Sequence, residues 1–258
     1  MLYLSKDLLC SVQYKFYATL LDAFAWYLSD EREEAFQEFI DKLNRVPFTS
    51  EAAAKGTAFN ELVDKIKNGE LIPTDKLGTA LIPHSGKMPV PIVVNDKGVM
   101  DYASKDKAFI FQFKWSTVER FVNMFAGAQD QVYVEAVLPT SKGNVMLYGY
   151  IDEVPAGGNI SDIKCTSGYE FPKFLHNWQH VVYPYCMQQH GIEASVFSYD
   201  ITDYNNIYKE EYVYAGQKDV NRLVAFCERL IDFIESQRHL ITDKKLFALD
   251  GQKELHAA

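Results

Sequence analysis

The chain is predicted to fold as a mixed α/β domain, and three features of its sequence carry that expectation. Gln131 to Leu138 and Val145 to Val154 alternate apolar and polar residues, as half-buried strands do. Ala156-Gly157-Gly158-Asn159 then makes a hairpin turn into a third strand, Ile160 to Lys164. Around this meander lie stretches whose apolar residues recur every three to four positions, so that the order is helix, three strands, helix, strand.

From the N-terminus, Leu8 to Asn44 reads as helical, with Phe16, Leu20, Leu21, Phe24 and Leu28 on one stripe. The acidic run Asp30-Glu31-Arg32-Glu33-Glu34 opens a second helix or its connection. Ser50 before Glu51 is a cap for the next helix, which runs through Phe59, Leu62, Val63 and Ile66. Residues 71–107 hold Pro73, Gly78, Pro83, Gly86, Pro89, Pro91 and Gly98, and read as an irregular or hairpin insertion framing a groove. Phe109 to Lys114 is a short strand and Val118 to Phe125 a helix. After the meander, Phe171 to Gln189 is a helix that Pro184 kinks or ends early. Ala194 to Ile201 and Tyr208 to Tyr214 are strands. Asp219 to Leu240 is a long amphipathic helix with Val220, Leu223, Val224, Phe226, Leu230, Ile231 and Ile234 on or near one face. No linker or repeat divides the chain. One domain over 1–258 is expected, with 1–50 a helical N-terminal elaboration and 217–258 a C-terminal helix and tail.

Composition narrows the class. With 258 residues, 48% hydrophobic and 24% charged, the chain can bury a substantial core. No apolar run approaches the ~20 residues of a membrane span. Met1 to Asp7 lacks the basic flank and cleavage site of a secretory leader, so no membrane association and a cytoplasmic location are expected. Cys10, Cys165, Cys186 and Cys227 form no Cys-x-x-Cys pair, which favours reduced thiols over disulfides or a zinc ribbon. A net charge of −9 argues against general coating of a polyanion, yet leaves room for a local positive groove. The 17 Phe and 16 Tyr are mostly core material, with some able to stack on bases. No Gly-x-x-x-x-Gly-Lys-Ser/Thr loop suggests ATP-driven work.

The hairpin carries the chemistry. Asp152 lies near the end of one strand and Asp162 on its neighbour, so pairing can bring the two carboxylates together. Two close carboxylates repel unless a cation lies between them, and Mg²⁺ or Mn²⁺ suits such oxygen ligands and phosphate oxygens together. Asp162 and Lys164 are two apart on a strand and share a face. A lysine there can orient or deprotonate water, or offset charge developing on phosphate. Asp-x-Lys is a common tripeptide, and Asp243-Lys244-Lys245 is a second copy, but that copy follows a helix with no paired acid before it.

In this hairpin the chain resembles the RecB-like branch of the PD-(D/E)XK nucleases. Their pattern is a Gly-x-x-Asp strand, a turn, an Asp-x-Lys strand, then a helix with Gln-x-x-x-Tyr. Gly149 to Asp152, Asp162-Ile163-Lys164 and Gln179 to Tyr183 match it in order. Gln13/Tyr17 and Gln129/Tyr133 share the last spacing, but only Gln179 and Tyr183 follow the Asp-x-Lys strand. The resemblance implies a restriction-endonuclease-like core. It implies metal held by Asp152, Asp162 and the Ile163 carbonyl, with Lys164 poising water and Gln179 and Tyr183 supporting the site or DNA. It also implies hydrolysis of phosphodiester bonds in DNA, of exonuclease or recombination-and-repair type, with single- and double-stranded substrates and DNA and RNA unseparated. A homo-oligomer or a recombination or replication partner protein fits the same family.

Upstream, Lys55-Gly56-Thr57-Ala58-Phe59-Asn60-Glu61 resembles the family's first helix, and Leu4 to Lys6 and Tyr14 to Phe16 its start. Asn60 stands where relatives carry a His or Glu that helps hold metal. Asn60 can lend an oxygen; Glu61, about 100° around the helix, or Asp64 are the charged alternatives, with Glu61 favoured. Iron–sulfur relatives use an early cysteine with a C-terminal cysteine group; Cys10 is present and the group is not, so no iron–sulfur cluster is expected. Cys165 reads as a small strand residue. His176 and His180 make the chain's His-x-x-x-His pair without a clear third ligand for zinc. Trp115 and Trp178 read as core. The competing reading is a non-catalytic nucleic-acid- or protein-binding module on the same fold.

Overall fold

The computed structural model describes residues 2–3, 11–48, 50–83, 88–157 and 159–248. Expectations for Leu4 to Cys10, Gly86, Gly158 and the tail beyond 248 lie outside these residues. The first strand, β1 (Val12–Tyr17), falls where a continuous helix was expected. Its Val, Tyr and Phe residues favour a pleated strand, and it pairs in parallel with a free edge of the central sheet, from Tyr14↔Val145 to Tyr17↔Tyr148. Helical periodicity begins only at Ala18. Helix α1 (Ala18–Ser29) buries Ala18, Leu20, Leu21 and Phe24, while Leu28 is exposed. Helix α2 (Ala35–Leu43) packs Phe39 against Phe24 and Tyr27 at ring separations of 5.3 and 5.2 Å.

Helix α3 (Glu51–Lys67) begins as expected, the Ser50 hydroxyl accepting from the Ala53 N–H at 3.1 Å. Glu51 in its first turn and Lys65 and Lys67 in its last suit the helix dipole. Its buried stripe of Phe59, Leu62, Val63 and Ile66, about 2 kcal/mol for each side chain, forms a core with Met100, Phe111, Phe113, Val118 and Phe121. The segment after α3 is more regular than expected. β2 (Leu71–Thr74) pairs in parallel with β3 (Val90–Val93), and β4 (Val99–Ala103) in antiparallel with β5 (Ile110–Lys114). Pro73 and Pro91 sit within β2 and β3, which among the described residues form a two-stranded sheet of edge strands, where a missing N–H is tolerated. Helix α4 (Trp115–Met124) follows.

The main sheet is mixed, with β6 (Gln129–Leu138), β7 (Asn144–Val154), β8 (Ile160–Cys165), β9 (Val196–Thr202) and β10 (Ile207–Val213) joining β1. β6 runs antiparallel along one edge of β7, from Gln129↔Val154 to Leu138↔Val145. The other edge is shared: β1 takes residues 144–148, and among the described residues β8 meets β7 at Glu153↔Ser161 alone. Between these two pairings, over residues 149–152, the edge of β7 opens into a fork. β8 continues in parallel beside β9, and β10 closes the sheet in antiparallel.

Helix α5 (Gln179–Gln189) covers one face of the sheet through Val182, Tyr183 and Cys186, against Val134, Ala136, Leu147 and Ile151. It starts eight residues later than expected. The amides of Lys173 and Phe174 donate to Glu210 at 2.7 and 3.1 Å rather than to carbonyls of a helical turn, and the Trp178 amide donates to Asp22. Pro184 lies inside α5 without ending it. Helix α6 (Gln217–Ser236) buries Leu223, Leu230, Ile231 and Ile234, and a separate short turn covers Arg238–Leu240. Among the described residues no helix is long and apolar enough to cross a membrane.

Candidate active site

The fork in β7 positions the site. Just inside the Glu153↔Ser161 rung, Asp152 and Asp162 lie on the two diverging strands. The rung is anchored from α3: Lys67 Nζ lies 2.6 Å from both oxygens of the buried Glu153, with Asp64 and Asp130 each at 3.9 Å. β8 is the wall between two cores, Ile160 facing the α5 side and Ile163 the α3 side. That alternation sends Asp162 and Lys164 together toward α5, and Lys164 Nζ stands 2.7 Å from Asp162 Oδ2.

Every expected residue of the hairpin and its helix reaches this place. Gln179, the first residue of α5, donates from Nε2 to Asp162 Oδ1 at 2.8 Å. Tyr183, one turn on, lies over Gly149. Asp152 Oδ2 accepts the Ile163 N–H at 3.2 Å. A cleft of about 440 Å³ opens over Asn60, Gly149, Tyr150, Asp152, Asp162, Ile163, Lys164, Gln179 and Tyr183.

The helix residues divide differently from the favoured expectation. Asn60, not Glu61, is turned to the site: its Nδ2 lies 3.5 Å from Asp152 Oδ2 and 3.4 Å from the Ile163 carbonyl oxygen. Glu61 faces away and pairs with Lys65 at 2.8 Å, Lys65 also donating to the Tyr102 hydroxyl at 3.0 Å. The physical reason is the buried stripe. Phe59, Leu62 and Val63 must face the core, and the helix phase they set leaves position 60 toward β8 and position 61 outward. Asp64 belongs to the Lys67 cluster.

Charge is concentrated here. Burial, and then the charge of Asp162, push the Asp152 carboxyl up to about 7, with Lys164 and the Ile163 N–H pulling the other way. Burial alone would lower Lys164, but Asp162, Asp152 and Asp22 outweigh it and hold its ammonium above the ordinary lysine range. Asp162 Oδ2 is buried, and the Lys164 ammonium at 2.7 Å answers its charge. Burial pushes the Cys165 thiol up to about 12, as suits an inert strand residue. His176 and His180 do not converge: His176 precedes α5, and His180 is buried with its ring stacked on Tyr212 at 4.3 Å. The Asp243-Lys244-Lys245 copy lies on a short turn, with Asp243 paired to Arg45. Among the described residues no group of three or more His, Cys, Asp or Glu side chains is arranged to hold a metal ion. The oxygens that converge are therefore two carboxylates, a main-chain carbonyl and one side-chain amide.

Gln131 is a site residue that sequence reasoning missed. It stands across the ladder from Asp152, has a left-handed backbone (φ 49°), and donates to Asp152 Oδ1 at 3.3 Å. Its place opposite Asp152 follows from the β6–β7 register, which no local pattern states.

No family model matches the chain, and no curated protein matches it. Among solved structures it is similar to a provisionally named exonuclease from Eubacterium rectale, at 15% identity and a TM-score of 0.46, over 91% of this chain and 86% of that one. It is also similar to the protein SSO0001, at 14% identity and a TM-score of 0.38, over 46% of this chain and 55% of that one.

Proposed function

We propose that this chain hydrolyses phosphodiester bonds in DNA with Mg²⁺ or Mn²⁺, as a nuclease of the PD-(D/E)XK type with an exonuclease or repair role. The observation that carries the reading is the meeting of Asp152, Asp162, the Ile163 carbonyl and Lys164 at the fork of β7 and β8. The residues present fit a hard cation. Asp162 Oδ2 is a buried oxygen whose charge is met by Lys164 alone among the ion pairs of the described residues. The Asn60 amide lies against oxygens of Asp152 and Ile163, so Asp152, Asp162 and the Ile163 carbonyl would hold the cation. Turned over, the same amide offers Oδ1 in place of Nδ2.

A cation held by these oxygens supplies positive charge to the scissile phosphate and makes attack by water feasible near neutral pH. The remaining roles fall to the side chains. Gln179 holds one oxygen of Asp162, and Lys164 stands against the other. Lys164, kept protonated by its neighbours, offsets charge growing on a phosphate oxygen and orients water through its N–H groups. Gln131 and the Ile163 N–H fix the Asp152 carboxylate in place.

One observation favours a second reading, a binding module without catalysis: Asn60 supplies no charge where an acid would complete a three-acid set. Cleavage of end-labelled linear DNA separates the two. The nuclease reading expects fragments with Mn²⁺, none with EDTA, and loss of at least a hundredfold in rate for Asp162→Asn at unchanged melting temperature. Full turnover by Asp162→Asn overturns the site.

A further inference from the structure

The face of the sheet turned away from α5 carries a row of tyrosines that runs into the candidate site. Along β7, Leu147 and Ile151 point to the α5 core, so Tyr148, Tyr150 and Asp152 alternate onto the other face. Tyr133 pairs across the ladder with Tyr150, their ring centroids 5.2 Å apart, and Tyr3 continues the row at 5.3 Å from Tyr133. On the β1 side Tyr17 meets Tyr148 at 5.8 Å. Arg45 lies over the Tyr17 ring at 5.5 Å and donates to the Tyr148 hydroxyl at 2.9 Å. Tyr17, Arg45, Tyr148 and Tyr150 line the same cleft as Asp152 and Asp162. Tyr150 is 55% exposed and Tyr3 61%. Two acids stand in the row: Glu135 accepts from the Tyr133 hydroxyl at 2.7 Å, and Asp243 pairs with Arg45 at 2.7 Å.

Cross-strand tyrosine pairs stabilise a sheet, but that task does not call for Tyr150 to stand more than half exposed in the lining of a cleft, with Tyr3 exposed farther along the row. We infer that this face holds the bases of a single-stranded polynucleotide by stacking, with its backbone led past Arg45 toward Lys164. The inference rests on the phosphodiesterase reading and names the form of its substrate. Aromatic rings accept any unpaired base, whereas a duplex keeps its base faces stacked inside and offers this row nothing but phosphate. A chain with net charge −9 gains little from phosphate alone, so contacts to bases must supply much of the affinity.

The test is fluorescence anisotropy with the full chain in EDTA, which reads binding without cleavage. Three labelled probes of equal length are compared: oligothymidylate, an abasic strand with the same phosphates, and a duplex. Thymidylate is expected to bind at least tenfold tighter than either other probe. Tyr150→Ala and Tyr133→Ala should each weaken it about tenfold, as loss of one stacked base does, while Tyr150→Phe stays within twofold. Equal binding of abasic and thymidylate strands, equal or tighter binding of duplex, or no effect of both alanine variants overturns the inference. Base-dependent binding without Mn²⁺-dependent cleavage would sink the nuclease reading and leave the tyrosine face standing; cleavage without base dependence would do the reverse.

Discussion

The ring of Tyr183 lies so close to the backbone of Gly149 that a Cβ on that glycine would stand 2.7 Å from Cε1 and 2.9 Å from the hydroxyl oxygen. The glycine before Asp152 and the tyrosine after Gln179 are thus two halves of one contact between β7 and α5. Gly149 is needed for space, and its absent side chain lets α5 settle with Gln179 at Asp162.

Gly149→Ala should therefore cost about 1–3 kcal/mol through overpacking and lower the melting temperature by several degrees. Tyr183→Ala should cost stability on its own by leaving a cavity, but in its background Gly149→Ala should add almost nothing. A double-mutant cycle in urea checks this. Strict additivity of the two losses would mean that the strand and helix do not meet there.

The exchange of Asn60 for Glu61 at the site gives a second expectation. Mn²⁺ should raise the melting temperature of the wild type by mass action. Asn60→Ala should shrink that rise and slow cleavage, whereas Glu61→Gln, which weakens a half-exposed pair with Lys65 beside Tyr102, should keep both within twofold. Differential scanning fluorimetry across a Mn²⁺ series reads the shift. A larger effect of Glu61→Gln would require α3 to sit in a different phase.

Much of the site was legible because strand chemistry is local. Asp162 and Lys164 share a face by their two-residue spacing, Gln179 and Tyr183 by their four-residue spacing, and the hairpin brings Asp152 across. What was not legible depended on contacts between distant segments. Val12 to Tyr17 became a strand because β7 offered an open edge more than a hundred residues away. The start of α5 moved because Glu210 and Asp22 bind the amides that an earlier turn would need. Asn60 and Glu61 are neighbours whose roles were decided by the helix phase, which is set by the whole buried stripe of α3 rather than by either residue.

His180 supplies a pH dependence away from the site. Burial holds its imidazole down at about 4, with Asp219 and Glu210 pulling up and Arg222 pushing down, and Tyr199 and Tyr212 against the ring. The folded chain keeps it neutral, so its contribution is complete above the ordinary value of 6.5. As pH falls from there toward 4, the unfolded chain takes up a proton that the folded chain refuses, and stability is lost. Between pH 7.5 and 5 this amounts to about 2 kcal/mol. Buried carboxyls raised to about 6, such as Asp22, act in the opposite sense, so the comparison must be with His180→Phe. The wild type should lose about 2 kcal/mol more than the variant over that range in urea titrations. Parallel pH profiles would place the imidazole in contact with water.

The central claim is that Asp152 and Asp162 hold a divalent cation, and anomalous diffraction from crystals soaked in Mn²⁺ tests it most directly. The expected result is a peak at about 2.1–2.2 Å from carboxylate oxygens of both aspartates and from the Ile163 carbonyl. That peak should be absent from Asp162→Asn crystals. A peak among Asp64, Asp130 and Glu153 instead, or none at millimolar Mn²⁺, would contradict the account.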